Sequence, residues 1–541
     1  MRNDPTLIAI RCAYAALVAL AIAFGVGLRF YHLGIHGFGG DEGVAALHIA
    51  GYTTSDLRIA LSASSPVPVS SLRPFRIVSN RGPVATIHAL ASEDSQHPPA
   101  YYVLAQGWER LVGSGPIELR LFSALLSLLL LPAIFWLSIE LFGSRPIAWA
   151  ATAVAALSPL NVEYAQQARE YAAWMVLTVA ASALLLRALK SERVGWWVGF
   201  AVVTALGFYT HAFYGFVIVA QLVYACGLAI HKECPNLRRF LLAAGSGVVL
   251  ASPWYVWLLA QHLFGVGHLV YDAPAYAVRP QTFNGAVYAW IAALSAPFVD
   301  LEAVNPRFFL AVAAIIVLEV LALVLLVRRN PFAQWWFLAT LGSPLLLLQI
   351  GNFGFTNMPR YLVPTMLALQ ISVAWLLGSA ATAKSAREQA MTLGVSTALL
   401  LLLLVDCTTR ANATVWWSDP TDLYWQPIPP IAAQIRTSGD ALVLSAPRDW
   451  EALTDEASLL PGTDRVWLAT DPTRWRAALR KNGDVFLIAP RGHDPLPSGV
   501  ALRPLPVEFP AVGYDLLQAA RGRGSRFVTV TRLWRVSDPP R

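Results

Sequence analysis

The sequence predicts an α-helical polytopic membrane protein that ends in a small α/β domain. Of its 541 residues, 56% are hydrophobic and only 13% are charged. Long apolar runs recur over the first three quarters of the chain, and about 30 of the 73 charged side chains fall after Arg410. A chain of this composition is solvated mainly by lipid. We therefore expect a membrane domain over residues 1–409 and a soluble domain over residues 410–541.

Eleven apolar runs approach the roughly 20 helical residues needed to cross ~30 Å of hydrocarbon. They begin near Leu7, Leu119, Ile147, Tyr171, Trp196, Phe213, Phe240, Phe308, Phe332, Tyr361 and Met391. The first run is longer than a signal-peptide core and lacks a small-residue cleavage site, so we expect it to remain as an anchor. The chain thus predicts about eleven spans.

Lys and Arg cluster in every second connection between these runs. The clusters lie at Arg2 and Arg11, Arg145, Arg187 to Arg193, Lys232 to Arg239, Arg328 with Arg329, and Lys384 with Arg387. Because cytoplasmic loops are enriched in basic residues, the N-terminus is predicted to be cytoplasmic. The loops 31–118 and 265–307 and the C-terminal domain are then periplasmic or extracellular. The net charge of +7 is explained by this topology, and no nucleic acid partner is expected.

One apolar segment does not fit the alternation. Counting Pro98 to Val112 as a span would invert every later basic loop, so we interpret it as an interfacial helix with Glu109 and Arg110 at its wet end. Phe283 to Phe298 is a second interfacial or re-entrant candidate. Both segments belong to the loops on the predicted outer side.

The C-terminal region alternates β-rich runs with helix-like stretches, which is typical of an α/β domain. The β-rich runs are Ala441 to Ser445, Arg465 to Ala469, Asp484 to Ile488 and Arg526 to Trp534, and the helix-like stretches include Ile431 to Arg436 and Pro472 to Lys481.

An acidic pair follows the first span in Phe38-Gly-Gly-Asp-Glu-Gly43. Partial desolvation at the membrane surface would raise the pKa of Asp41 and let it act as a general base. Asp41 could equally be the N-cap of a helix that begins near Val44. A third alternative is that Asp41 and Glu42 hold a divalent cation together with His97, although two acids and a distant histidine are weak evidence for a metal site.

The densest polar cluster at membrane depth runs from Ser158 to Tyr171. Ionisable groups are costly at this depth and mark functional sites by default. Arg169 can bind a phosphate with two parallel hydrogen bonds, or it can form a structural salt bridge with Glu163 or Glu170. Arg360 lies in another turn on the predicted outer side. Two arginines at this level indicate a site for an anionic lipid headgroup.

Two histidines lie in further turns on the same side. His97 precedes two prolines and the pair Tyr101-Tyr102, where it can serve packing as well as chemistry. His211 follows Thr210 between two apolar runs, and a satisfied turn residue explains it equally well.

The ordered set of motifs resembles the GT-C membrane glycosyltransferases. The motifs are Asp-Glu after the first span, His-Pro-Pro before Tyr-Tyr, Arg120 to Ser123, Ser-Pro with Tyr and Arg-Glu-Tyr, Thr-His, and Arg-Tyr-Leu-Val-Pro. Within that class the chain is similar to the family 39 and Rgt-like branch of the PMT-2 superfamily, which is related to protein O-mannosyltransferases and to the lipid A aminoarabinose transferase. The match covers about residues 7 to 380. Arg-Glu-Tyr lacks the Asp that follows in the aminoarabinose branch, which argues against an aminoarabinose donor.

The resemblance implies transfer of a sugar from a polyprenyl-phosphate donor at the periplasmic face of a bacterial inner membrane. It implies Asp41 as the general base and Arg169 and Arg360 as the groups that bind the donor phosphate. We assign Glu42, beside Asp41, as a second catalytic carboxylate. We assign six further residues to substrate binding: His97, Glu163, Tyr164, Tyr171, His211 and Tyr361. No cofactor is certain, and the divalent cation stays open. The acceptor is a membrane lipid such as lipopolysaccharide or lipid A, a wall glycan or a protein.

Two other classes of protein compete with this interpretation. A transporter or flippase of lipid-linked saccharides also needs many spans and buried cations, but the chain shows no internal repeat of the kind that transporters carry. A membrane-anchored scaffold that binds a partner through its C-terminal domain would not need eleven spans.

Overall fold

The computed structural model describes residues 5–78, 81–191, 193–230, 236–264, 291, 294–299, 309–350, 359–413, 428–445, 450–468, 484–490, 501–505 and 531–537. Its helices, numbered in chain order, are α1 (Pro5–Leu28), α2 (Gly40–Ile49), α3 (Thr54–Leu61), α4 (Pro83–Glu93), α5 (Ala100–Val112), α6 (Pro116–Leu128), α7 (Leu130–Phe142), α8 (Arg145–Leu157), α9 (Pro159–Ala165), α10 (Tyr171–Leu189), α11 (Val194–Thr210), α12 (Tyr214–Ile230), α13 (Leu237–Phe264), α14 (Phe309–Arg329), α15 (Pro331–Ile350), α16 (Val363–Ala380), α17 (Ala386–Ala411), α18 (Ile428–Arg436) and α19 (Trp450–Ala457). Two 3-10 turns, Val69–Arg76 and Pro359–Tyr361, complete the helical elements discussed below.

A helix begins close to each of the eleven predicted span starts. Seven helical stretches within the described ranges are long and apolar enough to cross a membrane: Pro5–Leu28, Pro116–Phe142, Tyr171–Leu189, Leu237–Ala260, Leu310–Arg329, Val363–Ala380 and Ala386–Ala411. Three shorter apolar helices, α8, α11 and α12, lie among them. The predicted fold class, an α-helical multi-pass membrane protein, is confirmed.

Local sequence explains how the helices connect at the end of the bundle away from the first loop. Gly143 ends α7 in the left-handed region, with φ +62°, which glycine adopts without a steric penalty. Pro146 lies in the first turn of α8, where its missing N–H costs no intrahelical hydrogen bond. The two helices therefore pack as neighbours through a very short turn.

Small residues let the central helices approach closely. A Cβ on Gly378 of α16 would lie 2.5 Å from the Ile147 backbone of α8, and a Cβ on Gly25 of α1 would lie 2.3 Å from the Ala156 carbonyl. Arg29 is fully buried at the same junction and donates hydrogen bonds to the carbonyls of Ala156 (2.7 Å) and Gly25 (2.6 Å). These contacts hold the ends of α1 and α8 beneath the first loop.

The first loop folds into α2 to α5 and packs on the membrane helices through a small apolar core that includes Ala45, Leu90, Tyr102 and Leu119. Helix α5 matches the predicted interfacial segment, but the placement of Glu109 at a wet end was wrong. Glu109 is buried and accepts a hydrogen bond from the Gly115 amide, and burial raises its pKa to about 8.

Five strands of the C-terminal region and one strand of the first loop form a six-stranded sheet in the order β1-β3-β2-β4-β6-β5. Its strands are β1 (Val67–Pro68), β2 (Leu442–Ser445), β3 (Arg465–Leu468), β4 (Val485–Pro490), β5 (Ala501–Pro504) and β6 (Thr531–Ser537). Strand β2 pairs in parallel with β3 and β4, whereas β6 is antiparallel to β4 and β5. The predicted helix Pro472 to Lys481 and most of the loop 265–307 lie outside the described residues.

Strand β1 comes from the first loop and pairs antiparallel with β3, with Val67 opposite Val466. The Trp467 indole also donates a hydrogen bond to the Ala63 carbonyl, at 2.8 Å. Apolar side chains of both regions, among them Leu47 and Leu453, share one core. The first loop and the C-terminal sheet therefore pack as one structural unit above the membrane helices.

Candidate active site

The predicted acidic pair lies where the first loop meets the helix bundle. Asp41 is the second residue of α2, and the N-cap of that helix is Gly39, which has no side chain to cap with. The alternative interpretation of Asp41 as a helix cap is therefore wrong. The Asp41 side chain retains 36% exposure and faces the cationic groups described next.

Two arginines from distant parts of the chain converge on Asp41. Arg360, in the 3-10 turn before α16, places Nη1 2.7 Å from the Asp41 Oδ2 atom. Arg169, in the turn between α9 and α10, donates a hydrogen bond from Nη1 to the Asp41 carbonyl oxygen, at 3.0 Å. Both predicted phosphate-binding residues thus contact the same residue of the first loop.

The expected direction of the Asp41 pKa was wrong. Desolvation raises the pKa of this carboxyl, but the charges of Arg360, Arg169 and His97 outweigh it and lower the pKa below its ordinary value. The sequence located the acid just after the first apolar helix, where the structure has it. It did not indicate that a guanidinium more than 300 residues away would pair with it.

The Glu170 carboxylate contacts Arg169 and two neighbouring side chains. Glu170 is fully buried, and its oxygens lie 3.0 Å from His97 Nδ1, 3.3 Å from Arg169 Nε and 3.3 Å from the Tyr102 hydroxyl, which donates to it. Burial disfavours the charged His97, yet Asp94 and Glu170 outweigh it and raise the His97 pKa. His97 is therefore protonated over a wider pH range than a free histidine, and in its protonated form its charge favours the deprotonated Asp41.

Glu42 faces away from this cluster. Its carboxylate forms a buried two-pronged ion pair with Arg120 of α6, at 2.5 and 3.0 Å, and accepts a hydrogen bond from the Ala168 amide at 2.6 Å. Arg120 also donates to the carbonyls of Leu33 and His36. The pair connects residues 39–43 at the start of α2, called the acidic loop below, to α6 and to the α9–α10 turn. This geometry favours a positioning role for Glu42.

The remaining predicted residues form an aromatic row beside the two arginines. The Tyr171 ring lies 4.9 Å from Tyr164 and 6.0 Å from His211, and the Arg169 guanidinium lies 5.7 Å from the Tyr171 ring centre. Tyr361 lies next to Arg360, whose guanidinium is 5.3 Å from its ring centre. The Tyr164 and Tyr171 rings are buried, so their contact with a sugar ring remains a prediction.

Two further predicted substrate residues, Glu163 and His211, are also enclosed by protein. Glu163 is fully buried and accepts a hydrogen bond from the Gln167 side-chain Nε2 atom at 3.2 Å. His211 stacks on Trp174 with ring centres 3.9 Å apart and accepts a hydrogen bond from the Phe213 amide. Their proposed contact with substrate remains a prediction.

The residues considered for a divalent cation have separate partners. Asp41 pairs with Arg360, Glu42 with Arg120, and His97 with Glu170. Among the residues that the structure describes, no group of three or more His, Cys, Asp or Glu side chains is arranged to hold a metal ion.

The sequence interpretation did not single out several residues that shape the site. Arg120 was noted only as part of a motif, and Tyr102 only as part of an aromatic pair. The available signal was a charged residue in an otherwise apolar run, since a buried arginine requires several partners. No such signal existed for Asp94, which lies 3.7 Å from His97 in an ordinary polar loop.

Comparison with known proteins gives one family match. Residues 96–257 match the dolichyl-phosphate-mannose-protein mannosyltransferase family, PMT_2. This range contains His97, Arg120, Arg169 and His211, but not the acidic pair. A search of the curated proteins found no match.

Two solved structures share the fold over most of the chain. One is ArnT from Cupriavidus metallidurans bound to undecaprenyl phosphate, with a TM-score of 0.51 and 14% identity, covering 96% of this chain and 97% of that one. The other is the oligosaccharyltransferase AglB from Archaeoglobus fulgidus in complex with an inhibitory peptide and a dolichol-phosphate. Its TM-score is 0.50 at 11% identity, covering 88% of this chain and 69% of that one. The chain therefore shares the fold of these two membrane proteins, and residues 96–257 match the PMT_2 family.

Proposed function

We propose that this protein transfers a sugar from a polyprenyl-phosphate donor to an acceptor at the face of the membrane that carries the first loop. The observation that carries the proposal is the convergence of Arg360 and Arg169 on Asp41. One end of the helix bundle thereby holds a base and two groups that bind phosphate. ArnT is bound to undecaprenyl phosphate and AglB to a dolichol-phosphate in the two similar structures, which supports a lipid-phosphate donor here.

The proposed step displaces the lipid phosphate from the anomeric carbon of the sugar. The acceptor oxygen forms a bond to that carbon, the bond from the carbon to the phosphate oxygen breaks, and the acceptor proton passes to the Asp41 carboxylate. The polyprenyl phosphate leaves with the electron pair of the broken bond. Guanidiniums placed at the leaving oxygen stabilise the charge that develops there.

Arg360 has two roles in this proposal. Without donor it neutralises Asp41 and lowers the pKa of that carboxyl, which makes Asp41 a weak base. A donor phosphate competes for the same guanidinium. As Arg360 moves to the phosphate, desolvation raises the pKa of Asp41 again, so the base becomes strong only when the donor is present.

We further propose that the acceptor is an envelope glycan, a membrane lipid such as lipopolysaccharide or lipid A, or a protein, and that the membrane is a bacterial inner membrane. The apolar helices that carry the site and the fold shared with ArnT bound to undecaprenyl phosphate support a membrane setting for the reaction. We propose that the sugar is a hexose or a pentose, and the experiment below identifies it.

Mass spectrometry of envelope lipids and glycans, from cells with and without the gene, tests the proposal. We expect one sugar mass to disappear from one class of molecule in the deletion strain and to return with the wild-type gene but not with Asp41→Asn. A sugar that returns fully with Asp41→Asn would contradict transfer by this site and favour transport of a lipid-linked saccharide.

A purified assay with the identified donor then tests the phosphate contacts. Hydrogen bonds to charged groups contribute about 1.5 to 3 kcal/mol each, so Arg169→Ala and Arg360→Ala should each weaken donor use roughly ten- to a hundredfold. Arg360→Lys should restore only part of it, because lysine retains the charge but not the planar fork. Unchanged donor use in both alanine variants would contradict the phosphate assignment.

A further inference from the structure

Helix α19 of the C-terminal region reaches the acidic loop. The Asp455 Oδ2 atom accepts a hydrogen bond from the Gly40 amide at 3.3 Å, one residue before Asp41. The other carboxylate oxygen of Asp455 lies 3.7 Å from the point where a Cβ on Gly43 would be. The Asp455 carboxylate therefore lies across the first turn of α2.

The residues of that turn do little to restrict its backbone conformation. It contains Gly39, Gly40 and Gly43, and Gly40 adopts φ +51°, in the left-handed region. Glycine loses more conformational freedom on ordering than other residues do. The N-cap Gly39 also offers no side-chain acceptor for the free N–H groups at the start of the helix. A carboxylate from elsewhere meets both needs, because it accepts a hydrogen bond and its charge is favourable at a helix N-terminus.

Asp455 is itself held in place from the first loop. The Arg76 guanidinium, at the end of the 3-10 turn Val69–Arg76, donates a hydrogen bond to the Thr454 carbonyl. Burial lowers the pKa of Arg76, and the charge of Asp455 opposes that effect. Strand β1 joins the same C-terminal sheet a few residues earlier. Arg76 and β1 thus fix α19 against the loop that carries the acid.

The other contacts to the acidic loop come from the membrane helices and their turns. Arg120 contacts the carbonyls before the loop, Ala168 contacts Glu42, and Arg169 contacts the Asp41 carbonyl. By contrast, the hydrogen bond from the Gly40 amide to Asp455 links residues 39–43 to the C-terminal region.

We propose that Asp455 is a positioning residue, through which the C-terminal domain fixes the first turn of α2 and so aims the Asp41 carboxylate at the acceptor. The inference rests on the proposed function of Asp41 and assigns a role to the C-terminal domain. Asp455 contacts no reacting group in this scheme. Its loss should therefore lower the rate of transfer and leave donor binding intact.

Steady-state kinetics of the full-length protein test the proposal. A misplaced catalytic group commonly slows a reaction by tenfold or more, so Asp455→Ala should reduce kcat about tenfold, with the KM for donor unchanged within about twofold. Asp455→Asn retains an acceptor oxygen for the Gly40 amide and should recover most of the rate. The matched control is Asp440→Asn, which removes an exposed carboxylate of the same region, and Asn tolerates the positive φ found there. It should match wild type.

Hydrogen exchange provides a measurement that does not depend on activity. We expect the amides of Gly40–Ile49 to exchange faster in Asp455→Ala than in wild type, while those of α10 stay protected. Full kcat in Asp455→Ala, or unchanged exchange in Gly40–Ile49, would overturn the proposal. So would equal loss of rate in the Ala and Asn variants together with a raised donor KM. If wild type itself transfers no sugar, the proposed function fails, and the exchange experiment still decides whether Asp455 orders α2.

Discussion

Arg360 Nη1 lies 2.7 Å from Asp41 Oδ2, although 319 residues separate them in the sequence. The pairing joins the first loop to the turn before α16, which are at opposite ends of the membrane domain in the chain. It also places the candidate base and a candidate phosphate ligand in direct contact. The protonation of Asp41 therefore depends on what Arg360 binds.

The pH dependence of transfer should shift when Arg360 is removed. Arg360 lowers the Asp41 pKa, so Arg360→Ala should raise it. The base works only when deprotonated, and the acidic limb of kcat/KM against pH reports its pKa in the free enzyme. We expect that limb to move to higher pH in Arg360→Ala and to move less in Arg360→Lys. A limb that stays in place would show that Arg360 does not control the base.

Asp41→Asn should abolish transfer and leave donor binding intact or slightly tighter. The amide cannot take a proton, and it no longer competes with phosphate for the charge of Arg360. Binding of undecaprenyl phosphate, followed by native mass spectrometry, and transfer by the same preparation would be compared. Weaker lipid binding in Asp41→Asn would contradict the proposed competition.

Much of the membrane domain could be predicted because lipid imposes a simple rule on sequence. The lengths of the apolar runs located the helices closely, and the resemblance drawn from the ordered motifs agrees with the PMT_2 match over residues 96–257. The same patterns predicted that Asp41, Arg169, Arg360 and His97 lie on one side of the membrane. Which of these charges would pair could not be predicted, because ion pairing depends on tertiary distances that periodicity does not encode.

The pairing of the first loop with the C-terminal sheet also could not be predicted from the sequence. Two-residue β1 is too short to show a strand pattern, and its partner β3 lies almost 400 residues later. Glu42 illustrates the same limit, since an acid next to Asp41 has the same sequence context whether it faces the site or Arg120. The structure separates the two acids by the direction in which each side chain leaves α2.

The buried pair of Glu42 and Arg120 should matter for folding more than for chemistry. Removing one member of a buried ion pair leaves the other charge without compensation, at a cost of about 3–5 kcal/mol. We expect Arg120→Ala to lower the Tm strongly. Glu42→Gln should be milder, and its folded fraction should still transfer sugar. A Glu42→Gln protein with wild-type Tm and no transfer would instead support the catalytic assignment predicted from the sequence.

The predicted orientation can be tested by cysteine labelling. In a variant without native cysteines, Ser64→Cys in the first loop should react with a membrane-impermeant reagent in intact cells, because that loop is predicted to face outward. Ser191→Cys, in the connection between α10 and α11, should react only after the cells are opened. The reverse result would invert the topology and place the candidate site on the cytoplasmic side.

His97 should make donor binding sensitive to pH. Its pKa is raised above the ordinary 6.5 because Asp94 and Glu170 favour the charged ring more than burial disfavours it. The ring is therefore cationic below this raised pKa and attracts phosphate there, and the attraction fades as pH rises through it. In a titration with undecaprenyl phosphate, we expect the Kd of wild type to increase over this range. His97→Gln should bind more weakly at low pH and show a flatter curve. Glu170→Gln should lower the His97 pKa and shift the wild-type transition to lower pH. If His97→Gln has the same pH dependence as wild type, another group is responsible and His97 serves packing.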